Sequence, residues 1–293
     1  MSKNIRIIPR LDIKGPNLVK GIHLEGLRVM GKPEQFARYY YETGADELIY
    51  MDVVASLYGR NSLHSMITKT ASEIFIPLTV GGGLRSIEDM REVLRAGADK
   101  IAINTAAIKD PGIIKDAART FGSSTIVISI EAIKQLDGSY LAYTDNGREH
   151  TGMEVIEWVK KAERLGAGEI LLTSVDREGA GNGYDIELTK MVTDTVSIPV
   201  IACGGPSKLE HIKEVINYGG ADAVALASML HYDFIKNNSD EFECSGEEGN
   251  VEFLKAKEDH LAKIRTESLP KIKKYLLRSG IDCRHSLKEG APA

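Results

Sequence analysis

Ile76-Pro77-Leu78-Thr79-Val80-Gly81-Gly82-Gly83 recurs later in the chain as Ile198-Pro199-Val200-Ile201-Ala202-Cys203-Gly204-Gly205. The prolines of the two segments lie 199 − 77 = 122 residues apart, and the last glycines have the same offset, 205 − 83 = 122. A helical pattern and a Gly-Ala-Asp motif follow both copies. A repeat of this length holds several strand–helix units, so it indicates a duplicated half-domain.

Eight apolar segments alternate with amphipathic segments of helical period, which is the pattern of a parallel sheet covered by helices. The predicted strands are 5–13, 47–53, 77–81, 100–104, 125–131, 169–174, 199–203 and 223–227. The predicted helices include 33–43, 87–96, 111–121, 153–165, 186–195 and 209–218. We therefore expect an α/β fold, a (β/α)₈ TIM barrel in one domain, 1–287, with half-barrels at about 4–122 and 123–235.

Two segments, 15–32 and 236–265, do not fit this repeat. Residues 15–32 are rich in Gly, Lys and Arg and are predicted to form a long loop after strand 1. Residues 236–265 are predicted to form an insertion after strand 8, and a basic amphipathic helix is predicted over about 251–277. Residues 288–293 are predicted to be a disordered tail.

The composition excludes several classes of protein. A net charge of −5 at pH 7 and a pI near 5.9 argue against binding to nucleic acid or a membrane surface, since both are anionic. The sequence has neither a signal-peptide core nor an apolar run of about 18 residues, so we expect a cytoplasmic protein. Cys203, Cys244 and Cys283 are too scattered for a disulfide framework or a zinc site. We expect reduced thiols, no metal and no cofactor.

Glycine pairs end two predicted strands at the barrel mouth, where the C-terminal ends of the strands converge. Glycine lets backbone N–H groups approach an anion, and a following helix N-terminus adds a positive dipole end. One pair alone would more simply serve a tight turn, but two symmetric pairs favour two phosphate sites and a ligand with a phosphate at each end. The candidate residues are Gly83, Asn104 and Thr105 in the first half and Gly204, Gly205, Ala227 and Ser228 in the second.

Acidic residues occupy equivalent strands of the two halves. Asp12 lies near the end of strand 1 and Glu131 ends strand 5, with an offset of 131 − 12 = 119. An acid in an apolar strand is costly unless it is used, and two opposed carboxylates can act as general acid and general base on one ligand. The alternative is that both acids bind loop lysines or backbone amides.

Other charged residues near the mouth are weaker candidates. Asp176 and Glu178 precede a flexible glycine-containing loop and could orient ligand hydroxyls, or could simply be solvated. Lys20 could fold over the mouth and neutralise a phosphate, although an exposed loop lysine is the usual outcome. Asp52, Arg60 and Arg85 also follow strands and rank lower.

The opposite, N-terminal ends of four strands carry charges as well. Packing usually determines that face of a barrel, and solvated rim charges are the ordinary interpretation. If the side chains point inward, they would form a salt-bridged ring around the barrel axis that could plug or gate it. The four residues are Arg6, Glu47, Lys100 and Glu169.

Several long motifs of this chain occur together in one protein family. They include Ile7-Ile8-Pro9-Arg10-Leu11-Asp12-Ile13-Lys14, Ile103-Asn104-Thr105-Ala106-Ala107 and Gly168-Glu169-Ile170-Leu171-Leu172-Thr173-Ser174. With the glycine segment at 76–85, these motifs closely resemble the HisF family, the cyclase subunits of imidazole glycerol phosphate synthase. The resemblance covers about 4–235 and resumes near 271–284.

The resemblance implies a lyase of histidine biosynthesis within a glutamine amidotransferase complex. A separate glutaminase subunit, HisH-like, would bind the N-terminal face of the barrel and supply ammonia through the barrel axis. Ammonia would convert phosphoribulosyl formimino carboxamide ribotide, which carries two phosphates, to imidazole glycerol phosphate and aminoimidazole carboxamide ribotide. The family's catalytic carboxylates map to Asp12 and Glu131, and its partner-facing acid maps to Asp99.

The family's other functional positions also map onto this chain. The ammonia gate maps to Arg6, Glu47, Lys100 and Glu169. The phosphate-binding positions map to Gly83, Asn104, Thr105, Gly179, Gly205, Ala227 and Ser228. The predicted residues for substrate or phosphate binding are these seven together with Lys20, Thr173, Asp176, Glu178 and Gly204.

Four residues at the mouth depart from the family pattern. Glu131 and Glu178 stand where the family has Asp, Arg10 where it usually has Cys, and Cys203 where it has Ser. Together with the insertion, these residues leave open the alternative that the chain is a paralogue. Such a paralogue would deliver ammonia to another acceptor, such as a sugar in surface-polysaccharide synthesis. A sister isomerase of the pathway and a non-catalytic activator of a glutaminase are further alternatives. The charged ring argues against the isomerase, which needs no ammonia channel.

Overall fold

A computed structural model describes residues 3–55, 63–238 and 264–285. The strands in these ranges are β1 (Arg6–Lys14), β2 (Asn17–Ile22), β3 (Glu25–Gly31), β4 (Leu48–Asp52), β5 (Leu78–Gly81), β6 (Lys100–Ile103), β7 (Ile126–Lys134), β8 (Tyr140–Thr144), β9 (Glu149–Glu154), β10 (Glu169–Ser174), β11 (Val200–Cys203) and β12 (Ala223–Leu226). The helices are Pro33–Glu42, His64–Glu73, Ile87–Arg95, Thr105–Lys109, Gly112–Phe121, Val155–Leu165, Ile186–Thr193, Leu209–Asn217, Ser228–Asn237 and Leu269–Arg278. Every predicted barrel strand and every predicted helix between the strands is present, with bounds shifted by a few residues.

Eight of the strands pair in parallel and close into a barrel. Their order is β1, β4, β5, β6, β7, β10, β11 and β12, after which β12 pairs with β1. The first four come from the first half of the chain and the last four from the second. In this order β1 and β7 lie four strands apart in either direction, so the first strands of the two halves face each other. The predicted (β/α)₈ barrel is confirmed.

Alternation along the strands separates two apolar layers. Ile7 and Leu11 of β1 point outward and pack into the core between strands and helices. Ile8 points inward, where it joins a layer on the barrel axis that includes Ile49, Val127, Leu171 and Ile201. Because Arg10 and Asp12 have the same parity as Ile8, the strand directs both charged side chains into the interior.

The predicted loop over 15–32 is wrong, since this segment forms the antiparallel hairpin β2–β3. β2 pairs with the end of β1, with Asp12 opposite Val19 and Lys14 opposite Asn17. The strand pairs satisfy the backbone hydrogen bonds of a segment whose glycines and charges suggest a loop. The second half carries a matching hairpin, β8–β9, on the extension of β7.

The two hairpins preserve the repeat down to their turns. His23 and Leu24 have φ of 51° and 62°, and Asp145 and Asn146 have φ of 51° and 63°. The offset is again 145 − 23 = 122. The tips meet above the mouth, where the Asn146 side-chain amide donates to the Leu24 carbonyl at 2.9 Å. Residues 15–32 are therefore part of the duplication.

The predicted helix over 251–277 is also corrected. The helix begins at Leu269, residues 264–268 are not helical, and residues 251–263 lie outside the described ranges. Pro270 occupies the first turn, where a residue without an N–H and with a fixed φ is tolerated, whereas it would break a helix interior. No helix among the described residues combines the length and the apolar character needed to cross a bilayer.

Acids at the bottom of the barrel explain the repeated Gly-Ala-Asp motif. The carboxylates of Asp46, Asp99 and Asp222 accept hydrogen bonds from strand N–H groups at 2.7, 2.8 and 2.9 Å. Asp46 additionally binds Lys273 Nζ at 2.7 Å, and both side chains are almost fully buried. The C-terminal helix is thus tied to the barrel by a buried ion pair.

We expect Asp46→Ala to destabilise the fold by about 3–5 kcal/mol, because it leaves the buried Lys273 ammonium without its counter-charge. Asp222→Ala is the matched control, since Asp222 also accepts a strand N–H but pairs with the half-exposed Lys3. That control should cost only about 1–2 kcal/mol. Urea unfolding of both variants measures the difference, and equal losses would contradict the role of the Lys273 pair.

Candidate active site

Asp12 and Glu131 lie inside the barrel mouth on facing strands. Each sits at the level where its barrel strand continues into a hairpin, with Asp12 paired to Val19 of β2 and Glu131 to Tyr143 of β8. Both side chains are buried, with 3% and 7% of their surface exposed. Since β1 and β7 oppose each other in the barrel, a ligand at the mouth would lie between the two carboxylates.

Arg10 crosses the barrel interior beside Asp12. Its Nε donates to Asp12 Oδ1 at 2.8 Å, and its Nη1 donates to Thr173 Oγ1 at 3.0 Å and to Cys203 Sγ at 3.4 Å. Thr173 belongs to β10 and Cys203 to β11, so the side chain spans from the first half-barrel to the second. Burial is the largest single effect and opposes the charge on Arg10, but Asp12, Cys203 and Glu178 together outweigh it and raise the pKa of the guanidinium.

Lys20 and Glu178 form a second buried ion pair next to the first. Lys20 Nζ lies 2.5 Å from Glu178 Oε1, and both side chains are nearly inaccessible. Burial disfavours both charges, yet their attraction raises the pKa of Lys20 and lowers that of Glu178. Lys20 is therefore not an exposed loop lysine. We call Arg10, Asp12, Lys20 and Glu178 the mouth quartet, in which two cations balance two acids.

Glu131 has a different environment. Its Oε2 accepts a hydrogen bond from the Gly147 N–H at 2.8 Å. Burial raises the pKa of Glu131 to about 7, although the Gly147 hydrogen bond and the Arg10 charge oppose the shift. Gly147 follows the turn at Asp145 and Asn146, which is not among the predicted site residues. An Asp-Asn-Gly sequence between strand-like segments is a hairpin signal that could have revealed it.

A cavity of about 440 Å³ opens between Glu131 and the first glycine pair. Gly82 has φ of 98° and lies close to the backbone of Asp52. A Cβ on Gly82 would overlap the carbonyl oxygen of Asp52. The glycine turn, the Thr105 hydroxyl, the Arg10 cation and the Glu131 carboxyl group therefore line one cavity. Its lining includes the predicted residues Gly83, Asn104, Thr105 and Glu131, and also Arg10, Asp52 and Arg85.

The second glycine turn has the same backbone but little space. Gly204 has φ of 97°, against 98° for Gly82. Ala227 has φ −125° and ψ −86°, against −127° and −83° for Asn104. However, the adjoining cavity measures only about 20 Å³. It is lined by the predicted residues Glu178, Gly179, Gly204, Gly205, Ala227 and Ser228, together with Cys203.

One predicted candidate, Asp176, does not join this site. Asp176 accepts a hydrogen bond from the Lys134 N–H at 2.8 Å and lines a separate groove with Arg177. The chain turns after β10, so Asp176 faces the extension of β7 while Glu178 points into the mouth. Arg60 lies outside the described residues.

A closed ring of ion pairs surrounds the axis at the bottom of the barrel. Arg6 contacts Glu47 at 2.7 Å and Glu169 at 2.6 Å. Lys100 contacts the other oxygen of each acid, at 3.0 Å in both cases. Every acid of the ring therefore binds both cations. Opening the ring would expose charged groups that are otherwise mutually satisfied.

The sequence comparisons agree with this architecture. A model of the histidine biosynthesis protein family matches residues 6–236, so this duplicated barrel is a member of that broad class. The imidazole glycerol phosphate synthase subunit HisF of Legionella pneumophila is 61% identical over 207 residues, which are 71% of this chain and 98% of that protein. The chain belongs to the HisF family.

We expect inorganic phosphate to bind the Gly82-Gly83 turn before the Gly204-Gly205 turn, because only the first opens into a roomy cavity. Crystals soaked over a phosphate series measure the occupancy of each turn. Gly82→Ala should weaken binding at the first turn by about tenfold or more, since the new Cβ displaces the backbone.

Gly26→Ala is the control for the glycine prediction. Gly26 also has a positive φ, 62°, but a Cβ there would meet no atom within 4 Å. Phosphate binding should survive in this variant. Earlier filling of the second turn, or equal binding by the Gly82 variant, would contradict the assignment.

Proposed function

We propose that this chain is the cyclase subunit, a lyase, of an imidazole glycerol phosphate synthase and acts in histidine biosynthesis. It would use ammonia to convert phosphoribulosyl formimino carboxamide ribotide to imidazole glycerol phosphate and aminoimidazole carboxamide ribotide. One observation carries the proposal: in a member of the HisF family, two buried carboxylates face each other between two matching glycine turns. The predicted cytoplasmic location remains part of this proposal.

Asp12 and Glu131 would divide the proton transfers. The Asp12 carboxylate, held by Arg10 at 2.8 Å, would act as general base and accept a proton from the attacking ammonia nitrogen. Glu131 would act as general acid. Burial raises its pKa to about 7, so the carboxyl group carries a proton over part of the neutral range.

The ring of Arg6, Glu47, Lys100 and Glu169 would gate the entry of ammonia. It lies at the bottom of the axis, and apolar side chains such as Ile8 and Val127 follow above it. An apolar passage favours neutral ammonia over ammonium, whose desolvation is costly. Ammonia made below the ring would thus reach the mouth without mixing with bulk water.

A glutaminase subunit would dock on this bottom face. The relative from Legionella pneumophila is itself named as a subunit. Phe75 is 81% exposed on this face, beside a cavity of about 320 Å³ that Asp99 also lines. An exposed aromatic ring next to an acid suits a protein interface with an apolar centre and a polar rim.

The two glycine turns would hold the phosphates of the acceptor. The first turn, with Asn104 and Thr105, opens directly into the large cavity. The second, with Ser228, adjoins the mouth quartet. Binding of a phosphate there would draw Lys20 away from Glu178, because a phosphate carries more charge than a carboxylate.

We expect Asp12→Asn to lower turnover by roughly 10²–10⁴-fold, because the amide cannot accept the proton. The assay combines the purified chain, ammonium salts and phosphoribulosyl formimino carboxamide ribotide, and follows release of the carboxamide ribotide. Circular dichroism checks the fold of the variant. Near-wild-type turnover would remove Asp12 from the mechanism. Absence of wild-type turnover with ammonium salts, and also with glutamine plus glutaminase, would refute the proposed function.

The pH dependence of kcat/KM should follow the ionisation of the Glu131 carboxyl group. At constant free ammonia, kcat/KM should fall above about pH 7, because deprotonation of Glu131 removes the general acid. Glu131→Gln should lack this limb and be slower at every pH. Glu131→Asp is the control that keeps a titrating acid, and it should retain the limb with equal or higher activity. A wild-type profile without a limb near pH 7 would contradict the assignment.

A second candidate function is delivery of ammonia to another acceptor, such as a sugar in surface-polysaccharide synthesis. The unequal cavities favour it, since about 440 Å³ adjoin the first glycine turn and about 20 Å³ the second. The same assay separates the candidates. Wild-type release of the carboxamide ribotide rejects the second one, while its absence together with stimulation of the glutaminase partner supports it.

A further inference from the structure

The guanidinium of Arg10 has hydrogen-bonding capacity that the protein does not use. Nε is occupied by Asp12, and Nη1 by Thr173 and Cys203. Nη2 makes no hydrogen bond to any residue in the described ranges. Arg10 lines an open cavity, so a ligand bound there can accept a hydrogen bond from this amino group.

That space is the cavity proposed to receive the acceptor. Arg10 lines it together with Glu131 and the first glycine turn. Arg10 and Glu131 thus share one cavity, and the Arg10 charge opposes the rise in the pKa of Glu131. Only 3% of the Arg10 surface is exposed, and a buried charge interacts more strongly than one in water.

We propose that Arg10 is a further catalytic residue, which donates from Nη2 to the carbonyl oxygen that ammonia attacks in the acceptor. This inference rests on the proposed function and adds a role that neither carboxylate can fill. It also restricts the acceptor to a compound whose reacting carbon is a carbonyl, such as the ketone of a ketose phosphate.

The attack is balanced with the groups present. The ammonia lone pair forms the C–N bond, and the π pair of the carbonyl moves onto oxygen, where Arg10 stabilises the developing negative charge. Asp12 removes one proton from nitrogen, and Glu131 supplies one proton to oxygen. The product is a neutral carbinolamine, with a proton gained by Asp12 and one lost by Glu131.

The anchoring of Arg10 suits this role. Asp12, Thr173 and Cys203 hold the guanidinium from two sides, so its remaining donor is fixed before the acceptor arrives. Preorganised donors of this kind stabilise an oxyanion without reorganisation during the reaction. A residue that served only to neutralise Asp12 would not need contacts on β10 and β11.

Arg10→Met tests the proposal with phosphoribulosyl formimino carboxamide ribotide and ammonium salts. The expected result is a fall in kcat of about 10²–10³-fold, with KM for the ribotide changed by less than about threefold. Arg10→Lys keeps a cation beside Asp12 but has one nitrogen, so it should remain at least about tenfold slow. Full activity in the lysine variant would reduce Arg10 to a counter-charge and overturn the proposal.

Arg38→Met is the matched control, because it removes an exposed arginine that pairs with Glu42 and lies outside the lining of the cavity. It should stay within about threefold of wild type. Circular dichroism and thermal unfolding identify any variant that fails to fold. If Arg10→Met fails to fold, the activity of Arg10→Lys decides the test.

A second readout does not depend on turnover. Carbon-13 NMR of labelled glutamate carboxyl groups follows the titration of Glu131 in the free protein. Removal of the neighbouring cation in Arg10→Met should raise the pKa of Glu131. An unchanged titration overturns the assignment of Arg10 whether or not the ribotide reacts. Wild-type inactivity with a shifted titration would refute the proposed function and support the position of Arg10.

Discussion

Charged side chains that point into a barrel interior must be paired, since an isolated buried charge costs several kcal/mol. The structure meets this constraint at the bottom ring, where Arg6 and Lys100 share two acids, and again in the mouth quartet. Both levels are electrically neutral. Glu131 and Asp52 are exceptions among the described residues at the mouth, because each is buried and accepts a backbone hydrogen bond, from Gly147 and Val54, but has no ion pair. Burial raises the pKa of both acids, that of Glu131 to about 7.

Duplication has preserved the backbone of this barrel more strictly than its side chains. The glycine turns, the hairpin tips and the unusual backbone angles at Asn104 and Ala227 coincide between the halves. The space beside the turns does not coincide, because Glu178 and Cys203 line the second cavity. Turn geometry depends on residues that tolerate positive φ, whereas the volume of a pocket depends on a few inward side chains that can change independently. One half could thus keep an open site while the other became packed.

The sequence predicts the barrel well, because strand and helix periods and the 122-residue repeat are local or directly visible patterns. It also selects Asp12, Glu131 and the four ring residues from their places on strands. It fails at 15–32, where hairpin strands stabilised by pairing with β1 have the composition of a loop. It cannot show that Asp176 turns away from the mouth while Glu178 enters it, since that depends on the path of the chain after β10.

The four residues that the resemblance identifies as departures from the family pattern lie around the barrel mouth. Arg10 contacts Cys203 at 3.4 Å, lines one cavity with Glu131, and has its pKa raised in part by Glu178. Residues that share contacts and charges do not contribute independently to stability or activity. Replacing Arg10 alone would leave Asp12 buried without its cation, and shortening Glu178 alone would weaken its hold on Lys20. The mouth is therefore best understood as a single unit, in which the Arg10 and Lys20 cations and the acids around them depend on one another. A change in the role of any one of these residues is expected to alter the charge that its neighbours carry.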